Sequence, residues 1–191
     1  MKNNKDSFNN PKIKVPFFIP SLSASDKKAV FEALNEKLLT DGPKLIQFEN
    51  AFSNYVHSKY AVGVSNATSA LHLSLKTLRI GKNDEVIVPT LTFIAPINSI
   101  IYNNAKPIFM DCDNFYNLDV NKTIQFIKTE TVFKRNFTFN KKTGNRIPVI
   151  LPVHLWGNAV ELEYLMKLCK QRNIAIVEDA AESFGTKYIR G

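Results

Sequence analysis

The sequence predicts an α/β protein with a mainly parallel sheet sandwiched by helices. Two observations carry that expectation. Short β-branched apolar runs alternate with stretches of helical apolar spacing, the pattern of strands joined by crossover helices. The last such run, Ile174 to Val177, then leads directly into Glu178, Asp179 and Glu182. Open α/β sheets collect their ligands just there, beyond the carboxyl ends of the strands. With 191 residues and no internal repeat, the chain has the length for one domain with a substantial core.

Met1 to Lys14 is polar and reads as a flexible tail (1–14), leaving 15–191 as the folded part. Val15 to Ser25 is an extended, proline-marked entry. Ser25 or Asp26 can cap a helix whose apolar face uses Val30, Leu34 and Leu38. The turn Thr40-Asp41-Gly42-Pro43 ends it, and a second helix carries Phe48, Phe52, Tyr55 and Val56 on one side. Tyr60 to Ser65 reads as a short strand, followed by a helix bearing Leu71, Leu75 and Leu78. Glu85 to Val88 is a strand broken by Pro89, and Pro96 suits the first turn of a helix reaching Tyr102. Pro107 to Met110 and Ile147 to Val153 are further strands, ending in Asp111 and His154. Leu162, Leu165, Leu168 and Cys169 mark the helix before the final strand. Phe133 to Arg146, polar and basic, reads as a hairpin or surface excursion.

Three strand ends carry candidate chemistry. At Val62 to Leu71, a strand gives way to small polar residues that open a helix. Free backbone N–H groups there, with the Thr68 and Ser69 hydroxyls, suit a phosphate, although the same residues also make an ordinary helix cap. Phe93, in the loop after Pro89, is placed either to stack on a flat ring or to fill the core. Asp179 would be a buried carboxylate in need of a cation. A phosphate, a planar ring and a cationic ring nitrogen together describe pyridoxal 5′-phosphate (PLP), whose ring works as an electron sink when an aspartate holds its protonated nitrogen.

These segments resemble the N-terminal part of the DegT/StrS family of PLP-dependent nucleotide-sugar aminotransferases. The motifs are Thr40-Asp41-Gly42-Pro43 with Phe48-Glu49, Ser65 to Leu71, Asn83 to Thr90 with Thr92-Phe93, Ala105 to Asp111, Pro152 to Gly157, and Val177 to Glu182. They run in family order from about Pro20 to Gly191. The resemblance implies the large-domain part of PLP-dependent fold type I, with the small C-terminal domain absent. It places Ala67 and Thr68 on the cofactor phosphate, Phe93 on the ring and Asp179 on the pyridinium. Glu182, where many members have His or Gln, would face the ring oxygen or the substrate. Thr40, Asp41 and Gly42 are substrate-side candidates, as is His154, for which a structural role fits equally well. Ser183 lies too early to be the family's later phosphate-binding serine, and His57 and His72 look incidental.

The resemblance also implies a nucleotide-linked 4-keto-6-deoxy sugar as substrate, glutamate as amino donor, and a homodimer in the complete protein. The wording Glu-Asp-Ala-Ala-Glu-Ser looks most like the bacillosamine and legionaminic acid branch, which uses UDP-linked N-acetylated sugars. The lysine that carries the cofactor in this family is expected well past Asp179, beyond Gly191, since Lys187 stands too early and in the wrong motif. The chain is therefore expected to be a fragment, without transaminase activity alone. Its apolar faces around Leu71, Leu75 and Leu165 are expected to be only partly covered. Two further readings stay open: a PLP-dependent sugar dehydratase of the same family, with His in place of the lysine, and a non-catalytic nucleotide-sugar-binding α/β module.

Composition narrows the classes. The net charge is +8, but the lysines are scattered, with no basic stripe at helical spacing and no RNA-binding aromatic motif, so nucleic acid is not the expected partner. No Gly-x-Gly-x-x-Gly follows the first strand, which disfavours a dinucleotide-binding oxidoreductase. Cys112 and Cys169 form no metal or redox motif and suit a reducing compartment. With neither a signal peptide nor a membrane-spanning run, a cytoplasmic location and no membrane partner are expected.

Overall fold

A computed structural model describes residues 19–188, which divide into two compact units at Gly63/Val64. The sequence readings on 1–18 and 189–191 lie outside the described residues.

The N-terminal unit holds two helices. Helix α1 (Ala24–Leu34) is capped by Ser23 rather than Ser25 or Asp26. Ser23 Oγ accepts the Asp26 N–H at 3.1 Å, while Asp26 accepts the Ser23 N–H at 2.7 Å, a reciprocal capping box. The Ser23 hydroxyl, which donates to the Asp26 carboxylate at 2.7 Å, and then the Ser23 N–H hold that carboxyl below its ordinary range. The helix ends at Leu34, so Leu38 lies outside it, and Val30 and Leu34 are exposed rather than buried. Helix α2 (Pro43–Tyr55) starts from Gly42 with Pro43 in its first turn. A Cβ on Gly42 would stand 2.3 Å from the Leu38 carbonyl oxygen, so only glycine fits. The expected strand over Tyr60 to Ser65 does not form. No strand pairs with it, and Gly63 N–H donates to the Glu49 carboxylate at 2.8 Å instead of to a ladder.

The second unit is a six-stranded sheet between two helical layers. Its strands are β1 (Asp84–Pro89), β2 (Lys106–Met110), β3 (Thr131–Lys134), β4 (Phe137–Asn140), β5 (Arg146–Ile150) and β6 (Ala175–Ile176). The order is β2-β1-β5-β4-β3, with β6 also on β5. Strands β1, β2, β5 and β6 run parallel. Helices α3 (Ala67–Thr77) and α4 (Ile94–Tyr102) cover one face through Leu71, Leu75 and Ile100 against Val86, Val88 and Val149. Helices α5 (Val120–Thr129) and α6 (Glu163–Arg172) cover the other through Ile127, Leu165 and Leu168 against Ile87, Ile147 and Ile150. Successive residues of β1 thus enter opposite cores, as the two-residue strand period requires.

Several boundaries differ from the sequence reading. Leu71, Leu75 and Leu165 are buried, not partly covered, because the sheet itself supplies their partners. Helix α4 agrees with the expectation, with Pro96 in its first turn, Tyr102 at its end and Phe93 as its N-cap. The strand expected over Ile147 to Val153 closes at Ile150. The final strand is only two residues long, although a further Val153–Asp179 bridge continues its pairing. Helix α5 was not anticipated, although Asp119 caps it and Val120, Ile124 and Ile127 give it an apolar face.

The basic insert is no excursion. It is the β3–β4 hairpin, and β4 pairs antiparallel with β5 at Phe139–Arg146. Buried carboxylates at the start of β1 bind this region. Arg146 grips Asp84 with Nε and a terminal nitrogen at 2.7 and 2.8 Å, and its cation also lies 5.5 Å from the Phe137 ring centre. Glu85 accepts amide N–H groups from Asn140 at 2.8 Å and Asn145 at 3.1 Å. Arg146→Ala should therefore destabilise the protein by roughly 2 kcal/mol, less than for a fully buried pair because the guanidinium is partly solvated. Urea unfolding checks this, and Asp84→Asn added to Arg146→Met should recover much of the loss.

Candidate functional site

The carboxyl ends of β1, β2, β5 and β6 lie along one edge, and the segments that leave β1, β5 and β6, together with the start of α3, frame a cavity of about 290 Å3. Ala67, Thr68, Phe93, Ala95, Val153, Leu155, Asp179, Ala181 and Glu182 line it. Five residues singled out from sequence, Ala67, Thr68, Phe93, Asp179 and Glu182, thus meet at one place. A larger hollow of about 470 Å3 lies between α5 and α6, but it carries none of them.

Each member is positioned by its element. Asn66 caps α3, its side-chain oxygen accepting the Ser69 N–H at 2.8 Å. The cap reading and the phosphate reading are therefore both compatible with this turn. Asn66 occupies the Ser69 amide, and the start of the helix at Ala67 and Thr68 faces the cavity. Ser69 Oγ stands 3.5 Å from Ser65 Oγ. Phe93 is 69% exposed, which rules out the core alternative and leaves a bare ring face on the cavity wall.

Asp179 is pinned by its backbone. Its N–H donates to the Pro152 carbonyl at 2.9 Å, and its own carbonyl accepts the His154 N–H at 3.1 Å. The side chain is buried and accepts one N–H, from Ala181, at 3.1 Å. Burial pushes its pKa up, the Ala181 bond opposes this, and the negative Glu182 nearby adds to the rise. An acid in that setting favours a cationic neighbour, because opposite charge offsets the desolvation.

His154 is 4% exposed and does not line the cavity. Its Nδ1 accepts the Val160 N–H at 3.0 Å, so the ring proton belongs on Nε2, which donates to Glu178 at 2.9 Å. Both nitrogens thus serve the protein itself, in accord with the structural alternative. Glu182 does line the cavity, but its Oε2 accepts the Trp156 N–H at 2.7 Å. Thr40, Asp41 and Gly42 form the turn into α2, with Asp41 in the left-handed region at φ 54°. His57 closes α2 with φ 55°, and His72 packs 5.8 Å from the Tyr102 ring.

One contributor escaped the sequence reading. Asn117, 3% exposed, accepts the Leu155 N–H and donates to the Asn158 carbonyl, both at 3.2 Å. No local pattern could reveal it, since its partners lie some forty positions away. Among the described residues no group of His, Cys, Asp and Glu could hold a metal ion. Cys112 and Cys169 are free thiols, and burial pushes Cys169 up to about 12, which keeps it protonated and inert.

The donor set fits PLP: helix-start amides for a phosphate, an exposed ring for stacking, and a buried acid for a ring cation. Residues 20–190 match the DegT/DnrJ/EryC1/StrS aminotransferase family. The chain is 41% identical over 175 residues to the GDP-perosamine synthase of Escherichia coli O157:H7, covering 91% of this chain and 44% of that protein. It is 34% identical to the GDP-perosamine synthase of Caulobacter vibrioides, covering 88% and 42%. The crystal structure of a GDP-4-keto-6-deoxymannose-3-dehydratase with a trapped PLP-glutamate geminal diamine aligns with a TM-score of 0.77 at 27% identity, covering 91% and 42%. This chain spans less than half the length of these relatives.

A stability test follows from the buried acid. Because the folded pKa of Asp179 lies above the unfolded value of about 3.9, its ionised form costs stability at neutral pH. That cost is full above the folded pKa and vanishes below the unfolded one. Asp179→Asn, whose amide oxygen can still accept the Ala181 N–H, should raise the thermal midpoint at neutral pH. The gain should shrink as the pH falls toward about 4.

Proposed function

This chain belongs to the DegT/DnrJ/EryC1/StrS aminotransferase family, and on that footing we propose that its carboxyl-edge cavity holds PLP for amino transfer to a nucleotide-linked 4-keto-6-deoxy sugar. The observation that carries the reading is the meeting of Phe93, Asp179 and the α3 start in one small cavity. When bound, PLP supplies an electron sink at the substrate's reacting carbon. Ala67 and Thr68 would take its phosphate and Phe93 would lie on its ring. The Asp179 carboxylate would keep a proton on the ring nitrogen, and Val153 and Leu155 would exclude water from one side.

The GDP-perosamine synthases among the relatives favour a guanosine-linked sugar over the UDP-linked N-acetylated sugars suggested by the motif wording. Glutamate as donor, two copies of the chain per functional unit and a cytoplasmic setting belong to the same reading, as do Thr40, Asp41 and Gly42 on the substrate side. No described helix is long and apolar enough to cross a membrane. A second reading, sugar dehydration, draws support from the dehydratase alignment. Product analysis on a chain extended through the lysine expected beyond Gly191, supplied with a GDP-linked 4-keto-6-deoxy sugar and glutamate, separates them. Amino transfer yields an amino sugar and 2-oxoglutarate, whereas dehydration removes a sugar hydroxyl as water.

Binding is tested by titrating the chain with PLP and following cofactor absorbance. Saturable binding is expected, weakened about tenfold by Asp179→Asn, through loss of a charge-assisted bond, and about threefold by Phe93→Ala. Unchanged affinity in Asp179→Asn would remove Asp179 from the pyridinium role.

A further inference from the structure

The short turn Leu155–Asn158, which follows β5, has four of its backbone groups held by side chains from elsewhere in the chain. Asn117 accepts the Leu155 N–H and donates to the Asn158 carbonyl. Thr186 Oγ1 donates to the Gly157 carbonyl at 3.0 Å. Glu182 accepts the Trp156 N–H at 2.7 Å, the shortest of these four bonds. Within the turn Trp156 has φ 53°, in the left-handed region that a bulky side chain enters only when its surroundings fix it there. Tyr116, at φ 68° in the loop after β2, meets the Trp156 ring edge-on with centres 5.2 Å apart. Both rings remain largely exposed, so burial is not what holds Trp156 in this conformation. The hydrogen bonds do.

We propose that Glu182 is a positioning residue. Its carboxylate fixes the strained Trp156 turn, and through that turn it sets Leu155 as a wall of the cofactor cavity. Chemistry favours this over a direct contact with the cofactor's ring oxygen. An ionised carboxylate only accepts hydrogen bonds, and the deprotonated ring oxygen is an acceptor too, so the two facing each other would repel. The Trp156 N–H is a donor and is already within bonding distance. The binding consequence rests on the PLP reading, whereas the anchoring of the turn stands without it.

Trp156 is the chain's single tryptophan, so its emission reports this turn alone. In the 191-residue chain, Glu182→Ala should shift Trp156 emission, increase its quenching by acrylamide, and weaken PLP binding about tenfold, the loss of one hydrogen bond to a charged acceptor. Glu182→Gln keeps a carbonyl oxygen in place and should restore the wild-type emission, with binding within about threefold of wild type. Thr186→Val, which leaves Glu182 intact, should loosen the same turn and raise quenching in the same direction. This keeps the test open if Glu182→Ala folds poorly. Unchanged emission and quenching in Glu182→Ala and Thr186→Val would overturn the anchoring role. Glu182→Gln that keeps wild-type emission but binds PLP as weakly as Glu182→Ala would overturn the positioning role in favour of direct contact. Failure of the wild-type chain to bind PLP would sink the cofactor reading and leave the emission arms to decide the anchoring.

Discussion

The site depends on one short piece of parallel pairing, the bridge between Val153 and Asp179. Two backbone hydrogen bonds, Asp179 N–H to the Pro152 carbonyl and His154 N–H to the Asp179 carbonyl, extend the β5–β6 ladder past the end of either strand. They deliver a carboxylate to the sheet edge with its main chain already satisfied, so its side chain is available for a ligand. The same bridge brings Leu155 and the segment Ala181–Glu182 to the lining of one cavity. Without it, β6 would be two residues of weak edge strand with nothing to aim the acid.

Around that bridge the protein places polar groups at both ends of the sheet, with different logic. At the amino end of β1, Asp84 and Glu85 are buried but fully answered, by Arg146 and by two asparagine amides. These bonds anchor the end of β4 and the residues that follow it, and they add rigidity. At the carboxyl end, Asp179 receives a single amide N–H among the described contacts, and burial raises its pKa. A buried acid with spare capacity is a poor stabiliser and a good receptor for a cation. The two ends illustrate how the same residue type serves structure or chemistry according to the partners that folding supplies.

His154 and Glu182 show how neighbouring residues of similar chemistry divide the work. Both belong to segments that contribute to the cavity, yet His154 turns its ring away into bonds with Val160 and Glu178. Glu182 spends one oxygen on the Trp156 amide. Together with Asn117 and Thr186 they make a frame of polar contacts around a mostly apolar hollow. Such a frame holds a wall in register without filling the space that a ligand needs.

By itself the sequence determined the fold class, the general alternation of strands and helices, and the segments where chemistry belongs, although the one at Asn66 to Ser69 follows no strand. Those signals are local: apolar periodicity for α3 and β1, small polar residues at Asn66 to Ser69, and an acid directly after the last apolar run. Even α5 is written locally, in Asp119 and the spacing of Val120, Ile124 and Ile127. Only the tertiary structure decided that Tyr60 to Ser65 stays unpaired, that the basic insert joins the sheet, and that His154 faces inward. It alone decided that Asn117, Glu182 and Thr186 converge on one turn. Strand pairing and side-chain hydrogen bonds connect residues far apart in the chain. No periodicity records them, because their energy exists only once the backbone has brought both partners together.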